Sequence, residues 1–270
     1  MRFSLAPSTI APEPVATSDL LVVWAAIGIA FVLAAASLPT LVRHRRRGPA
    51  IAAAAEQAGL RYRAQDGHDL GRYRFDLLVP RGGLRWTAPH VVTSEQLGSP
   101  THAFDIRVWT EVEVDGHREG IGSANPVGLR IGTAKTRRQT RGKEASGCIV
   151  RLPINAPRVM IVQENAASKI VAAVSQVDLD LESDLFNRRY HVLTADKAFA
   201  RSLLDARVLD LIVRGDGRME FDFVGNLLLI RTPALEPGLL PGLVRYGELF
   251  PTAISSLVRD RYPSPAVANE

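Results

Sequence analysis

Six histidines, at 44, 68, 90, 102, 117 and 191, and one cysteine, Cys148, are the side chains best suited to hold a metal or act as a nucleophile. No two histidines form an H-x-x-x-H pair, so the spacing of a zinc site is missing. A single cysteine makes neither an intramolecular disulfide nor a cysteine-based metal site. Its setting, Gly147-Cys148-Ile149-Val150, is that of a small buried residue. Gly122-Ser123-Ala124-Asn125 lacks the second glycine of a G-x-S-x-G elbow, and no G-x-x-x-x-G-K-[ST] loop is present. Asp178, Asp180, Glu182 and Asp184 fall at every second position, as in a calcium loop. An EF-hand needs glycine at its sixth position and glutamate at its twelfth, where Ser183 and Arg189 stand. Acids alternating with Val177, Leu179 and Leu181 suit the wet face of a strand instead. The sequence therefore predicts no catalytic residue, no cofactor and no metal.

Charge is distributed in clusters. The chain holds 33 Lys and Arg against 28 Asp and Glu, a net +5. Arg43, Arg45, Arg46 and Arg47 form one basic run, and Lys135, Arg137, Arg138, Arg141 and Lys143 a second. Subtracting these nine from 33 leaves 24 basic against 28 acidic residues, a mildly acidic remainder. A general nucleic-acid-binding face is not implied, and the second cluster has no aromatic neighbours for base stacking. The second cluster reads first as a solvated loop; as a site, its chemistry would be contact with an anionic partner, lipid headgroups before a protein or nucleic acid. Each basic residue near an anionic surface contributes roughly 1 kcal/mol.

The elements that place these groups begin with the stretch Leu20–Leu38, which carries no charge. Extended by Thr40, Leu41 and Val42, it is long enough as a helix to cross a hydrocarbon core of about 30 Å. Trp24 stands near one end, where an amphipathic ring suits the interface. The segment before it balances Arg2 against Glu13 and Asp19, unlike the basic start of a cleaved signal peptide. Four arginines on the C-terminal flank place the remainder in the cytoplasm. The expected order is a disordered extracytoplasmic tail (1–19), a transmembrane helix (20–42) and a basic juxtamembrane segment with a short helix and linker (43–72). A soluble domain (73–262) follows, with a flexible basic loop at 116–145, and then a tail (263–270).

Within that domain the apolar spacing predicts a helix over 50–59 and strands over 73–79, 91–95 and 103–114. In the last, Phe104, Ile106, Val108, Val112 and Val114 alternate with polar partners. Strands follow over 148–152 and 158–163, a helix over 166–175, and a strand over 186–193. A single helix over 195–213 has Thr194 as its cap and ion pairs Arg201–Asp205 and Asp210–Arg214 on its wet side. Strands over 219–224 and 227–231 flank a Gly225-Asn226 turn. A helix over 239–259, kinked at Pro251, ends the domain. This order reads as α+β: a largely antiparallel sheet with three to four packed helices, behind the N-terminal anchor.

Glu182-Ser183, Phe186-Asn187-Arg188, Tyr190 and Val192, then Asp196, Phe199-Ala200 and Leu203-Leu204-Asp205, form an E-S-x-x-F-N-R-x-[FY]-x-V pattern followed by D-x-x-F-A-x-x-L-L-D. The pattern resembles a family of uncharacterised actinobacterial single-pass membrane proteins with one N-terminal anchor and a soluble domain. The likeness runs over about 178–231 and more weakly over 49–163. It implies a shared architecture and no reaction. Within it Glu182, Phe186, Asn187, Tyr190, Asp196, Phe199, Leu203 and Leu204 read as structural residues.

Anchor, patterned core and missing catalytic motif together predict a membrane-anchored cytoplasmic binding or assembly module with an unknown protein partner. Two alternatives stand beside it. One is a membrane-surface enzyme whose Asp, Glu and His residues meet only on folding, and the other is an anionic-lipid sensor built on 135–143.

Overall fold

A computed structural model of the chain describes residues 46–78, 84–95, 99–114, 135–140, 145–163, 177–179, 181 and 183–264. The expected tail, transmembrane helix, helix 166–175 and residues 265–270 lie outside these. Among the described residues no helix is long and apolar enough to cross a membrane.

The order of elements is as follows. Helix α1 runs over 46–57 and ends at Gly59, whose φ of +68° gives the left-handed stop that the sequence places there. Strands β1 (Arg61–Arg63), β2 (Leu84–Thr87), β3 (Val91–Ser94), β4 (Thr101–Val114), β5 (Lys135–Thr140), β6 (Ala145–Gln163) and β7 (Val177–Asp178) come next. Then follow α2 (Asp184–Asn187), β8 (Tyr190–Thr194), α3 (Lys197–Leu203), α4 (Ala206–Arg214) and β9 (Glu220–Pro233). Helices α5 (Leu240–Gly247), α6 (Phe250–Ala253) and α7 (Ser256–Arg261) complete it.

Among the described residues every strand pairing is antiparallel. The sheet is built around β6, whose first part pairs with β4 (His102↔Ile149) and whose last part pairs with β8 (Ile161↔Val192). Between these two parts lies β9, which pairs with β6 along its length. Glu220 Oε2 lies 2.6 Å from Arg231 Nη1, eleven residues along the same strand. Eleven extended residues would span roughly 36 Å. β9 therefore doubles back at Gly225-Asn226, where Gly225 has φ +57°. The burial pattern agrees with this reversal. Phe221 and Phe223 share a core cluster with Leu228 and Ile230, while Leu229 belongs to the other. The turn expected at Gly225-Asn226 thus lies inside one continuous run. β6 carries the extra residues needed to pass around its tip, with register shifts between Arg151 and Val159 that contain Pro153 and Pro157.

One sheet face, with Val92, Cys148, Val150, Phe221, Phe223 and Val192, is covered by the helices through residues such as Ile51, Phe199, Val208, Val244 and Phe250. Gly247 lets α5 lie close, because a Cβ there would stand 2.8 Å from Cys148 Sγ. Cys148 is buried, as its apolar setting implies. The opposite face, with Ile149, Met160, Leu193 and Leu229, is covered by Leu70, Phe75, Leu77, Leu78 and Trp86. This is an α+β fold with a largely antiparallel sheet, as the pattern of elements implies.

Several elements differ from the sequence expectation, each for a local reason. Residues 73–78 form no strand, because the Arg74 carbonyl and Leu77 N–H bond to the side chains of Arg158 and Asp222 instead of a ladder. Phe186 lies in α2, since Ser183 caps that turn by accepting from the Phe186 N–H at 3.3 Å. The helix over 195–213 is two helices: Asp205 takes an extended conformation, and its Oδ1 accepts from the Arg207 and Val208 N–H groups. Asp196, rather than Thr194, caps α3. The last helix divides into three, with Pro251 in the first turn of α6 and Ser255 capping α7. Within the expected loop 116–145, Lys135–Thr140 is a strand paired with β4, and 116–134 and 141–144 lie outside the described residues.

Candidate functional site

Between α3, α4 and the segment leading into α2 lies a groove of about 880 Å³. Leu181, Leu204, Ala206, Leu209 and Val213 supply apolar surface, and Ser183, Arg201, Asp205 and Asp210 the polar part. Two local devices shape it. On one wall, Asn187 Oδ1 accepts from the Leu181 N–H at 3.2 Å and its Nδ2 donates to the Leu181 carbonyl at 2.6 Å. The Asn187 amide thus acts as a strand partner for Leu181 and fixes the edge of the groove. On the other wall, the Asp205 cap turns the chain between α3 and α4, so that Leu204 is buried and Ala206 faces outward. Along α4, Leu209 and Val213 stand one helical turn apart and form a ridge.

The charged groups of the groove differ in how they are engaged. Asp205 holds the α4 N-terminus, and Asp210 pairs with Arg214 at 2.9 Å. The second of these is the pair that the spacing predicts. The Arg201–Asp205 pair is not formed, because Asp205 turns to the backbone. The Arg201 side chain makes no hydrogen bond or ion pair with any described residue. Among the described residues that line the groove no pair of titratable side chains is placed for proton transfer. An apolar floor with a partly neutralised polar rim is suited to binding.

A second cluster lies on the opposite sheet face. Asp222 is fully buried, with Arg158 Nε 3.9 Å from its Oδ1 and the Leu77 N–H donating to Oδ2 at 3.4 Å. Arg158 Nη1 also pairs with Asp76, and Arg158 Nη2 donates to the Arg74 carbonyl at 3.3 Å. Burial pushes the Asp222 carboxyl up to about 7, against the opposing pull of Arg158. Two carboxylates around one guanidinium, placed beneath the segment holding Phe75 and Leu77, tie that segment to the sheet. His102 is buried as well, with Nδ1 3.0 Å from Thr93 Oγ1 and its ring 4.4 Å from that of His68. Burial, followed by repulsion from His68, lowers it to about 4, so it is neutral near pH 7. Among the described residues no three His, Cys, Asp or Glu side chains are grouped to hold a metal ion.

The residues singled out in the sequence fall in different places. Trp24, Arg43, Arg45, Arg141, Lys143 and Glu182 lie outside the described residues. Arg46 and Arg47 open α1. Lys135, Arg137 and Arg138 lie on β5, opposite Val114, Val112 and Glu111. Phe186, Tyr190, Phe199, Leu203 and Leu204 are buried in the core, and Asp196 caps α3 by accepting from the Phe199 N–H at 2.9 Å. The D-x-x-F-A-x-x-L-L-D stretch and Asn187 thus frame the groove. Leu209, Val213, Arg158, Asp76 and Asp222 were not evident as site residues, for their sequence spacing shows only core and surface periodicity.

No protein-family model and no curated protein matches the chain. A solved structure that aligns with it is the crystal structure of the mycobacterial trehalose monomycolate transport factor A, TtfA. The two are 15% identical, with a TM-score of 0.48, over 82% of this chain and 99% of that one. The likeness is too distant to pass on a substrate or a partner.

Proposed function

We propose that this chain is a membrane-anchored binding or assembly module that holds a protein partner in the groove between α3 and α4. The observation that carries this reading is an apolar floor, Leu181, Leu204, Leu209 and Val213, open to a partner and rimmed by polar groups of which two are already engaged. Leu20–Leu38 supplies the anchor, and Arg43–Arg47 hold the domain on the cytoplasmic side. The basic run 135–143 adds attraction to anionic headgroups. Membership of the anchored actinobacterial family, argued above from the 178–231 pattern, belongs to the same proposal.

Site-specific crosslinking of the full chain in native membranes tests it. A photoreactive residue at Ala206, which is exposed at the groove, is expected to give one defined adduct. The same residue at the exposed Ala53 of α1 is expected to give none. Leu209→Asp should remove the Ala206 adduct. An adduct equally strong at Ala53, or indifferent to Leu209→Asp, would contradict the proposal.

A further inference from the structure

The balance of charge around the groove carries information about its occupant. Asp205 and Asp210 are neutralised within the domain by the α4 N-terminus and by Arg214. Arg201, on the α3 wall, is exposed, and its side chain makes no hydrogen bond or ion pair with a described residue. An unengaged cation therefore stands beside an apolar floor. The floor itself is helical in origin, because its ridge is Leu209 and Val213, spaced at i and i+4 along α4. Residues at that spacing interdigitate with side chains of similar spacing on another helix. Among the described residues that line the groove none belongs to a strand, and the Leu181 backbone is already engaged by Asn187, so strand addition has nothing to pair with among them.

We infer that the groove takes a short amphipathic helix of a partner protein, whose apolar stripe is flanked by an Asp or Glu that meets Arg201. The inference rests on the reading of the groove as a partner site and adds the chemistry of the partner. The stripe supplies the buried area, while the acidic residue sets the direction in which the helix lies. A basic helix would face Arg201 without a counter-charge, and the groove carboxylates would already be occupied.

The test uses the full chain in lipid nanodiscs and a displayed library of helical peptides. Each peptide has fixed leucines at i, i+3, i+4 and i+7 and randomised flanking positions. Selected peptides are expected to be enriched in Asp or Glu on one flank. Their affinity should fall about two- to fivefold in Arg201→Glu, the size of one exposed ion pair lost. Lysine-flanked peptides should gain in that same variant. Binding should also be blocked by Ala206→Trp, which fills the groove from an exposed position. If Ala206→Trp blocks binding but Arg201→Glu leaves it unchanged, the groove reading stands and the acidic helix is wrong. If neither variant alters binding, both are wrong. A concentration-dependent dimer lost in Ala206→Trp would overturn the inference in favour of a second copy. Displacement of the peptides by oleate would overturn it in favour of a lipid chain.

Discussion

At the scale of single residues, Asp222 holds the most unusual position, a carboxyl with no solvent contact between Arg158 and the Leu77 N–H. Its folded pKa is raised from the ordinary carboxylate value to about 7, chiefly by burial. A raised acid favours its neutral form in the folded state. Its contribution to stability is therefore fully present below the unfolded pKa of roughly 4 and is lost as pH rises through about 7. Asp222→Asn keeps the shape and removes the ionisation. The variant is expected to match the wild type near pH 4 and to exceed it near pH 8, by roughly 2–4 kcal/mol. Thermal midpoints measured from pH 4 to 8 check this, and an equal effect at both ends would contradict it. Asn187 bonds to Leu181 only six residues away, within reach of a local window, whereas Asp196 takes the capping role for which the sequence points to Thr194. Asp222 was not legible, because its partner Leu77 lies 145 residues away.

At the scale of elements, short side-chain caps divide what the apolar period runs together. Periodicity over 195–213 is continuous, yet Asp205 starts a new helix by accepting from the Arg207 and Val208 N–H groups at 3.0 and 3.1 Å. An aspartate within a good helical stripe reads equally as an exposed ion-pair residue, so the pattern alone does not separate the two. Their energies do. Asp205→Ala should cost about 1 kcal/mol as a lost cap, whereas Asp210→Ala, which removes an exposed i, i+4 pair, should cost about 0.3–0.5 kcal/mol. Urea midpoints decide, and equal costs would argue against the cap. The same limit explains 73–79. A strand is expected there, but the Arg74 carbonyl and the Leu77 N–H are bound by the side chains of Arg158 and Asp222, a long-range event that no local window contains. Gly225-Asn226 was readable because a two-residue turn is a local signal.

At the scale of the whole molecule, the class of fold was legible from the order of strands and helices, while the path of the sheet was not. Nothing local in Arg151–Val159 announces that β6 passes around the tip of β9, or that the two arms of β9 fill the centre of the sheet. The groove was equally hidden, because its lining comes from three elements, two of which the sequence reads as one helix. What joins these levels is the claim that the domain is built to hold a partner. The most direct measurement is the mass of the full chain extracted gently from its native membrane, by light scattering with the detergent contribution removed. The account predicts a wild-type complex heavier than one chain, and a single chain for Ala206→Trp. A wild type that emerges as a lone monomer, or a complex whose mass is the same in Ala206→Trp, would contradict it.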